Sequence, residues 1–197
     1  MIKKYNQYIK ETINLDIDPY GEEDWDEVNL PPLLQLVRRT GKPYEQITVL
    51  ECFYEQLTNL DGIENLTNLK SLNCSYNQLT SLEGIENLIN LKYLDCHNNR
   101  LTSLNDIENL TNLEILCIGY NQLTSLDGIE NLINLRELDF GNNLLTSLDG
   151  IENLINLKRL YCWNNQFSEE YRKYIEDYCR RRNIKLHDHH LYRNLWQ

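Results

Sequence analysis

The sequence contains no apolar run that approaches the roughly 18 residues a membrane-spanning helix needs. Its first segment, MIKKYNQYIKETIN, has no continuous apolar stretch, so we expect no secretory signal. No glycine-rich phosphate loop, H-E-x-x-H motif or G-x-S-x-G motif is present, and histidine is scarce, with 4 in 197 residues. These absences predict a non-enzymatic protein without a membrane partner, a cofactor or a metal.

Basic side chains are in deficit, because 19 lysines and arginines face 30 aspartates and glutamates, for a net charge of −11. Such a charge repels phosphate backbones, so nucleic acid is not an expected partner. A basic segment of another protein is favoured instead, because opposite charge raises the rate of encounter. The six cysteines follow no compact disulfide framework, which predicts a reducing, cytoplasmic location.

A unit of 22 residues, such as LTSLEGIENLINLKYLDCHNNR, is repeated five times and follows a half copy at Ile47–Gln56. The five copies begin at Leu57, Leu79, Leu101, Leu123 and Leu145. Each copy has apolar residues at seven offsets. One copy alone could not enclose them, so neighbouring copies must stack. This period, with L-x-x-L-x-L-x-x-N-x-L inside it, predicts a leucine-rich-repeat solenoid.

Each copy is predicted to contain one short strand and one turn. The segment equivalent to Leu69–Asn77 should form the strand, and six such strands should form one parallel sheet on the concave face. The segment equivalent to Asp61–Leu66 should form a turn or a short 3₁₀ or α-helix on the convex face. The predicted fold class is therefore α/β, a leucine-rich-repeat solenoid with helical caps at both ends.

The sequence divides into a flanking region, the repeats and a second flanking region: 1–46, 47–166 and 167–197. The first contains two candidate helices, Met1–Asn14 and Pro31–Arg39, and the second of these should cover the first strand. The last region contains a candidate capping helix within Phe167–Leu186, for which Ser168 is a suitable N-cap. Ile184–Leu186 is a candidate edge strand.

The pattern L-T-[SN]-L-x-[GD]-I-E-N-L-x-N-L-x-x-L-x-[CIF]-x-x-N resembles the 22-residue class of leucine-rich repeats, which includes bacterial internalins and nuclear phosphatase-regulating repeat proteins. The resemblance covers Ile47–Gln166. It implies a protein-binding scaffold, such as a regulatory subunit or adaptor, but no particular partner. The Asn-, Ile- and Tyr-rich pattern is also similar to repeat proteins of giant DNA viruses, which would place the chain in host cytoplasm.

Three strand positions vary freely between copies and are predicted to point out of the concave face. Aromatic side chains flanked by charges are typical of interface anchors. The predicted partner-binding residues are Glu51, Phe53, Tyr93, Asp95, His97, Glu137, Asp139, Arg159, Tyr161 and Trp163. An alternative for Phe53 and Trp163 is that they only seal the ends of the sheet against the caps.

One inward-pointing position is occupied by four cysteines, an isoleucine and a phenylalanine: Cys52, Cys74, Cys96, Ile118, Phe140 and Cys162. Because this position accepts Ile and Phe, we interpret it as buried apolar volume rather than a metal or redox site. Cys117 is different, because it is predicted to point outward and to be open to modification.

Two polar residues recur once in each copy. An asparagine just after the strand is predicted to form an internal hydrogen-bond ladder: Asn77, Asn99, Asn121, Asn143 and Asn165. A glutamate on the convex side is predicted to be solvated: Glu64, Glu86, Glu108, Glu130 and Glu152. The alternative for these glutamates is a ridge that attracts a basic partner or loosely bound cations.

Two flanking segments contain metal-like patterns. The acidic run at 15–29 has carboxylates at calcium-loop offsets, but Pro19 and Tyr20 interrupt it, so we expect a solvated linker, or an acidic docking loop. The tract at 187–190 contains three histidines without a completing cysteine or carboxylate pair, so we expect surface rather than a zinc or nickel site.

Two functions are compatible with this sequence. The favoured one is a monomeric, non-enzymatic scaffold that binds a basic protein segment on the concave face. The alternative is a structural repeat protein that associates with copies of itself through its solenoid edges or tyrosine-rich caps.

Overall fold

The computed structural model describes residues 30–187. The candidate helix at Met1–Asn14, the acidic run at 15–29 and the histidines after His187 lie outside these residues. The described chain forms one seven-stranded parallel sheet whose strands follow chain order. The strands are Val49–Glu51 (β1), Ser71–Asn73 (β2), Tyr93–Asp95 (β3), Ile115–Cys117 (β4), Glu137–Asp139 (β5), Arg159–Tyr161 (β6) and Lys185–His187 (β7).

The sheet has one register throughout the repeats, because every copy has the same length. Leu50 pairs with Leu72, Leu72 with Leu94, and the same leucine position continues to Leu160. The last step, from Leu160 to Leu186, is longer because a helix lies between β6 and β7. The predicted edge strand is therefore present, one residue later in the chain than expected.

The core is continuous along the solenoid. At the seven apolar offsets of the five copies, no side chain is more than 5% exposed. Burial of each leucine or isoleucine contributes about 1.5–3 kcal/mol relative to exposure, and each coil shares this burial with its neighbours. The predicted solenoid is confirmed.

The convex side consists of turns and short 3₁₀ helices, as predicted. The 3₁₀ helices in the repeats are Ile63–Asn65, Asn105–Ile107 and Ile151–Asn153. Gly128 has a φ of +104°, and a Cβ there would lie 2.5 Å from the Leu104 carbonyl oxygen, so the neighbouring coil requires glycine. Asp106 stands where the other copies have glycine, and its Oδ2 accepts a hydrogen bond from the Leu82 N–H at 2.9 Å.

A helix lies at each end of the described chain. Helix α1, Pro32–Arg39, buries Leu33, Leu34 and Val37, and Leu34 packs directly over Gly62 of the first copy. Its two basic C-terminal residues oppose the negative end of the helix dipole, and Thr40 ends it.

Helix α2, Glu169–Arg182, begins at the predicted N-cap, where the Ser168 Oγ accepts a hydrogen bond from the Tyr171 N–H at 3.1 Å. The Tyr171 hydroxyl accepts from the Leu148 N–H at 2.8 Å, and the Tyr178 hydroxyl donates to the Ile151 carbonyl at 3.1 Å. These two bonds fasten the helix to the last coil. That both helices act as caps stays a prediction.

Candidate protein interface on the concave face

The concave face is the side of the sheet opposite the core, and three residues of each coil line it. The first column is Val49, Ser71, Tyr93, Ile115, Glu137 and Arg159. The second is Glu51, Asn73, Asp95, Cys117, Asp139 and Tyr161. The third, just after the strands, is Phe53, Ser75, His97, Gly119, Gly141 and Trp163. The sheet therefore brings all ten predicted partner-binding residues to one face.

The second-column acids have a structural role that the sequence did not reveal. Asp95 Oδ1 accepts a hydrogen bond from the His97 N–H at 3.1 Å, and Asp139 Oδ1 accepts from the Gly141 N–H at 2.9 Å. Asn73 does the same for the Ser75 N–H at 3.1 Å. Such local bonds from Asx side chains turn the backbone away from the strand.

Asp95 is the centre of a polar cluster rather than an exposed acid. Asp95 is only 7% exposed, which corrects the prediction that its carboxylate points freely into solvent. Asp95 Oδ1 lies 2.5 Å from His97 Nδ1, and the Tyr93 hydroxyl donates to Oδ2 at 3.3 Å. Burial and the nearby Asp95 carboxylate raise the pKa of Tyr93, so its hydroxyl stays protonated as a donor.

Asp139 lies two strands further along the second column and carries a perturbed carboxyl group. Burial raises its pKa to about 6, and Asp95 and Glu137 add to the rise. The Gly141 N–H and His97 act in the opposite direction. Asp139 is therefore a carboxyl group whose charge changes close to neutral pH.

Cys117 lies between these two acids and is half-buried, so it is less open than predicted. Burial, followed by the carboxylates of Asp95 and Asp139, raises the pKa of its thiol to about 12. Because the thiolate is the reactive form, this environment disfavours the modification that the sequence suggested.

The two charged residues of the first column form an ion pair across neighbouring coils. Arg159 Nη1 donates to Glu137 Oε2 at 2.6 Å. The pair is partly exposed, so it contributes little to stability, but it leaves Glu137 less negative toward a partner.

The C-terminal end of the face is packed against the last strand. The Tyr161 ring stacks on His187 of β7 at 4.3 Å and meets the Trp163 ring edge-on at 5.9 Å. Trp163 also covers Gly141, where a Cβ would lie 2.5 Å from the indole. These contacts favour the sealing interpretation for Trp163. Phe53, at the other end, is exposed and meets only the edge of Tyr54 among the ring contacts of the described residues.

Three segments of the chain, 45–88, 89–131 and 133–170, match the sequence profile described as Leucine Rich repeats (2 copies). Together they include more than half of the 197 residues. The chain belongs to the leucine-rich-repeat family. No curated protein matches it in sequence.

The solved structures similar to this leucine-rich-repeat protein include internalins of Listeria monocytogenes. One internalin has a TM-score of 0.66 and 27% identity over 72% of this chain, which spans 41% of that internalin. Internalin C2 has a TM-score of 0.57 and 25% identity, with 84% of this chain and 89% of that one covered. The functional domain of InlJ, described as including a cysteine ladder, has a TM-score of 0.56 and 31% identity over 64% and 32% of the two chains.

The repeat cysteines of this leucine-rich-repeat protein are buried. Cys52, Cys74, Cys96 and Cys162 are fully buried in the predicted column beside Ile118 and Phe140. All six cysteines lie within residues 30–187 and none forms a disulfide there. Burial raises the pKa of Cys74 and Cys96 well above the usual value, so these thiols act as apolar side chains.

The asparagine ladder is confirmed, and a second ladder accompanies it. Asn99 Oδ1 accepts from the Leu79 N–H at 2.9 Å, and its Nδ2 donates to the Cys74 and Cys96 carbonyls at 3.0 Å. A further asparagine of each copy donates from the convex side to the preceding coil: Asn68, Asn90, Asn112, Asn134 and Asn156. Its regular spacing was visible in the sequence.

The convex glutamates are more than a solvated ridge. In four copies the carboxylate accepts a hydrogen bond from the glycine N–H two residues earlier, as Glu130 does from Gly128 at 2.8 Å.

Among residues 30–187, no group of three or more His, Cys, Asp or Glu side chains is arranged to hold a metal ion. Nor does that part of the chain contain a helix long and apolar enough to cross a membrane.

Replacement of Asp139 by Asn should stabilise the protein at pH 7 and leave it unchanged at pH 4. The folded-state pKa of about 6 exceeds the unfolded value of about 3.9, so stability from this group is present at low pH and is lost as pH rises through that window. With allowance for partial exposure, we expect a gain of about 1–2 kcal/mol in the free energy of unfolding at pH 7, measured by urea denaturation.

The control is Asp61→Asn, at an exposed position, which should change stability by less than about 0.5 kcal/mol at either pH. An equal gain from Asp139→Asn at pH 4 and pH 7 would contradict the assignment of the pKa shift.

Proposed function

We propose that this leucine-rich-repeat protein is a non-enzymatic scaffold whose concave face binds a basic segment of another protein, in the manner of a regulatory subunit or adaptor. The observation that carries the proposal is Asp139, a carboxylate retained where burial and acidic neighbours oppose its charge. The local turn needs only a side-chain oxygen, which Asn73 supplies at the equivalent position of β2. A charged group in surroundings that disfavour its charge is typical of a binding site.

The family supports the same proposal at a coarser level. The leucine-rich-repeat fold is typical of protein–protein interaction scaffolds, and internalin-like proteins are typically non-enzymatic. Because the chain spans less than half of the first internalin compared, no internalin partner is transferred to it. An intracellular location accompanies the proposal and is supported by the six free thiols.

A displayed library of random 12-residue peptides, selected on the purified protein, should yield sequences enriched in lysine and arginine. The double variant Asp95→Asn, Asp139→Asn should bind these peptides about thirtyfold more weakly, because each of the two lost charge pairs at a partly desolvated site is worth about 1 kcal/mol. Asparagine keeps the side-chain oxygen that makes the turn bonds, as Asn73 does in β2, so we expect the variant to retain the fold. Affinity is measured by fluorescence anisotropy.

The matched control, Glu83→Gln with Glu108→Gln, removes two charges from exposed positions of the convex side. It should leave the affinity within about twofold of wild type, since screened charges more than about 10 Å away act weakly. Selected peptides without excess basic residues, or equal losses in both double variants, would count against the proposal.

The alternative, self-association, has a separate test. Sedimentation velocity from 1 to 100 μM distinguishes the two functions, because a structural protein that assembles with itself shows a rising mass and a scaffold remains a monomer.

A further inference from the structure

One column of the solenoid holds tyrosine in a backbone conformation that suits asparagine. The residue after the third concave column has a positive φ, between 51° and 59°, in all six coils. The six residues are Tyr54, Tyr76, Asn98, Tyr120, Asn142 and Asn164. Asparagine enters the left-handed region with little strain, whereas a bulky side chain rarely does.

The backbone N–H at the first five of these positions donates the same hydrogen bond to the next coil, whether the residue is tyrosine or asparagine. The Tyr76 N–H donates to the His97 carbonyl at 2.9 Å, and the Asn98 N–H donates to the Gly119 carbonyl at 3.0 Å. Tyrosine is therefore not required for the fold, since asparagine makes the same bond in the next coil. Strained residues that the structure does not need are candidates for function.

The three tyrosines, the tyrosine row, are also exposed. Tyr54, Tyr76 and Tyr120 are 63%, 40% and 51% exposed. The rings of Tyr54 and Tyr76 stack at 4.2 Å, and His97 meets Tyr76 edge-on at 4.6 Å. Phe53 extends this aromatic surface beside Tyr54. Tyr54 and Tyr76 thus form one exposed aromatic cluster with Phe53 and His97, and Tyr120 is a separate exposed ring two coils further along.

The charges beside the row identify the chemistry of its partner. Glu51 and Glu55 are exposed on either side of Phe53 and Tyr54 in sequence. Aromatic faces next to carboxylates suit a guanidinium, which stacks on the ring and pairs with the acid. We propose that the tyrosine row receives arginine side chains of the basic partner segment, an assignment that rests on the proposed function.

The test uses the full chain and two triple variants. The first, Tyr54→Asn, Tyr76→Asn, Tyr120→Asn, installs the residue that the other coils use, so its midpoint of thermal unfolding should equal or exceed that of wild type. The second replaces the same tyrosines with phenylalanine and keeps the rings. The probes are octa-arginine, octa-lysine and deca-proline, titrated by calorimetry in 0.15 M NaCl.

Wild type should bind octa-arginine more tightly than octa-lysine, although the two peptides carry equal charge. The asparagine variant should lose about tenfold in octa-arginine affinity, and the phenylalanine variant should stay within about threefold of wild type. The preference for arginine should vanish in the asparagine variant alone.

Three results would overturn the proposal. If the asparagine variant binds octa-arginine as wild type does while Asp95→Asn with Asp139→Asn binds weakly, the row is not the arginine site and the proposed function stands. Preference for deca-proline would assign the row to a different partner chemistry. A lower unfolding midpoint for the asparagine variant would show that the tyrosines serve the fold.

Discussion

Replacement of Asn121 by Ala is expected to lower the free energy of unfolding by about 3–4 kcal/mol, among the largest losses from any single polar residue of the repeats. Its Oδ1 accepts from the Leu101 N–H at 2.9 Å, and its Nδ2 donates to the carbonyls of Cys96, Ile118 and Gly119. Alanine would leave several backbone groups of two successive coils buried without a partner. Urea denaturation followed by circular dichroism measures the loss.

The second asparagine ladder provides a matched control. Asn112 is exposed on the convex side, and its Nδ2 donates one hydrogen bond, to the Ile89 carbonyl at 2.8 Å. Asn112→Ala should therefore cost about 0.5–1 kcal/mol, the usual value of one exposed or partly exposed bond. Similar losses in the free energy of unfolding for Asn121→Ala and Asn112→Ala would contradict the conclusion that burial makes the first ladder the more stabilising one.

The sequence was sufficient to predict the Asn121 ladder because periodicity reports directly on packing. When 22-residue copies stack in register, every residue at one offset meets the same neighbours, so a constant leucine or asparagine indicates a constant environment. The strand positions of the repeats and the inward cysteines followed from this argument, whereas the edge strand lies outside the repeats and was predicted one residue too early, at Ile184–Leu186.

Variable positions were harder to interpret, because variation does not distinguish a free side chain from one with a local partner. Asp95 and Asp139 were assigned to the partner alone, whereas each also bonds to the backbone N–H two residues later. Asn73 at the same offset was the available signal, since Asn and Asp share the side-chain oxygen that makes this turn.

The tyrosine row was missed for a related reason. The presence of tyrosine in some coils and asparagine in others indicates nothing about φ until the backbone is known. The structure shows that Tyr54, Tyr76 and Tyr120 adopt the left-handed conformation, which asparagine adopts more easily. Only then does the absence of asparagine from these three coils require an explanation.

The inward column shows that even a periodic core is fitted coil by coil. Cysteine occupies the position in four coils, but Phe140 fills it in the coil of β5 and is fully buried. The neighbouring Asp139 and Gly141 lie on the concave face, so the packing of Phe140 supports the central part of the candidate interface.

Phe140→Cys should therefore destabilise the protein by about 2–4 kcal/mol, although cysteine is the commonest residue of its column, because the cavity left by the ring adds to the lost burial. Ile118→Cys, the control one coil earlier, removes less volume and should cost about 1–2 kcal/mol. Urea denaturation of both variants measures the difference. A loss below about 1 kcal/mol for Phe140→Cys would show that the neighbouring coils rearrange to fill the cavity around the smaller side chain.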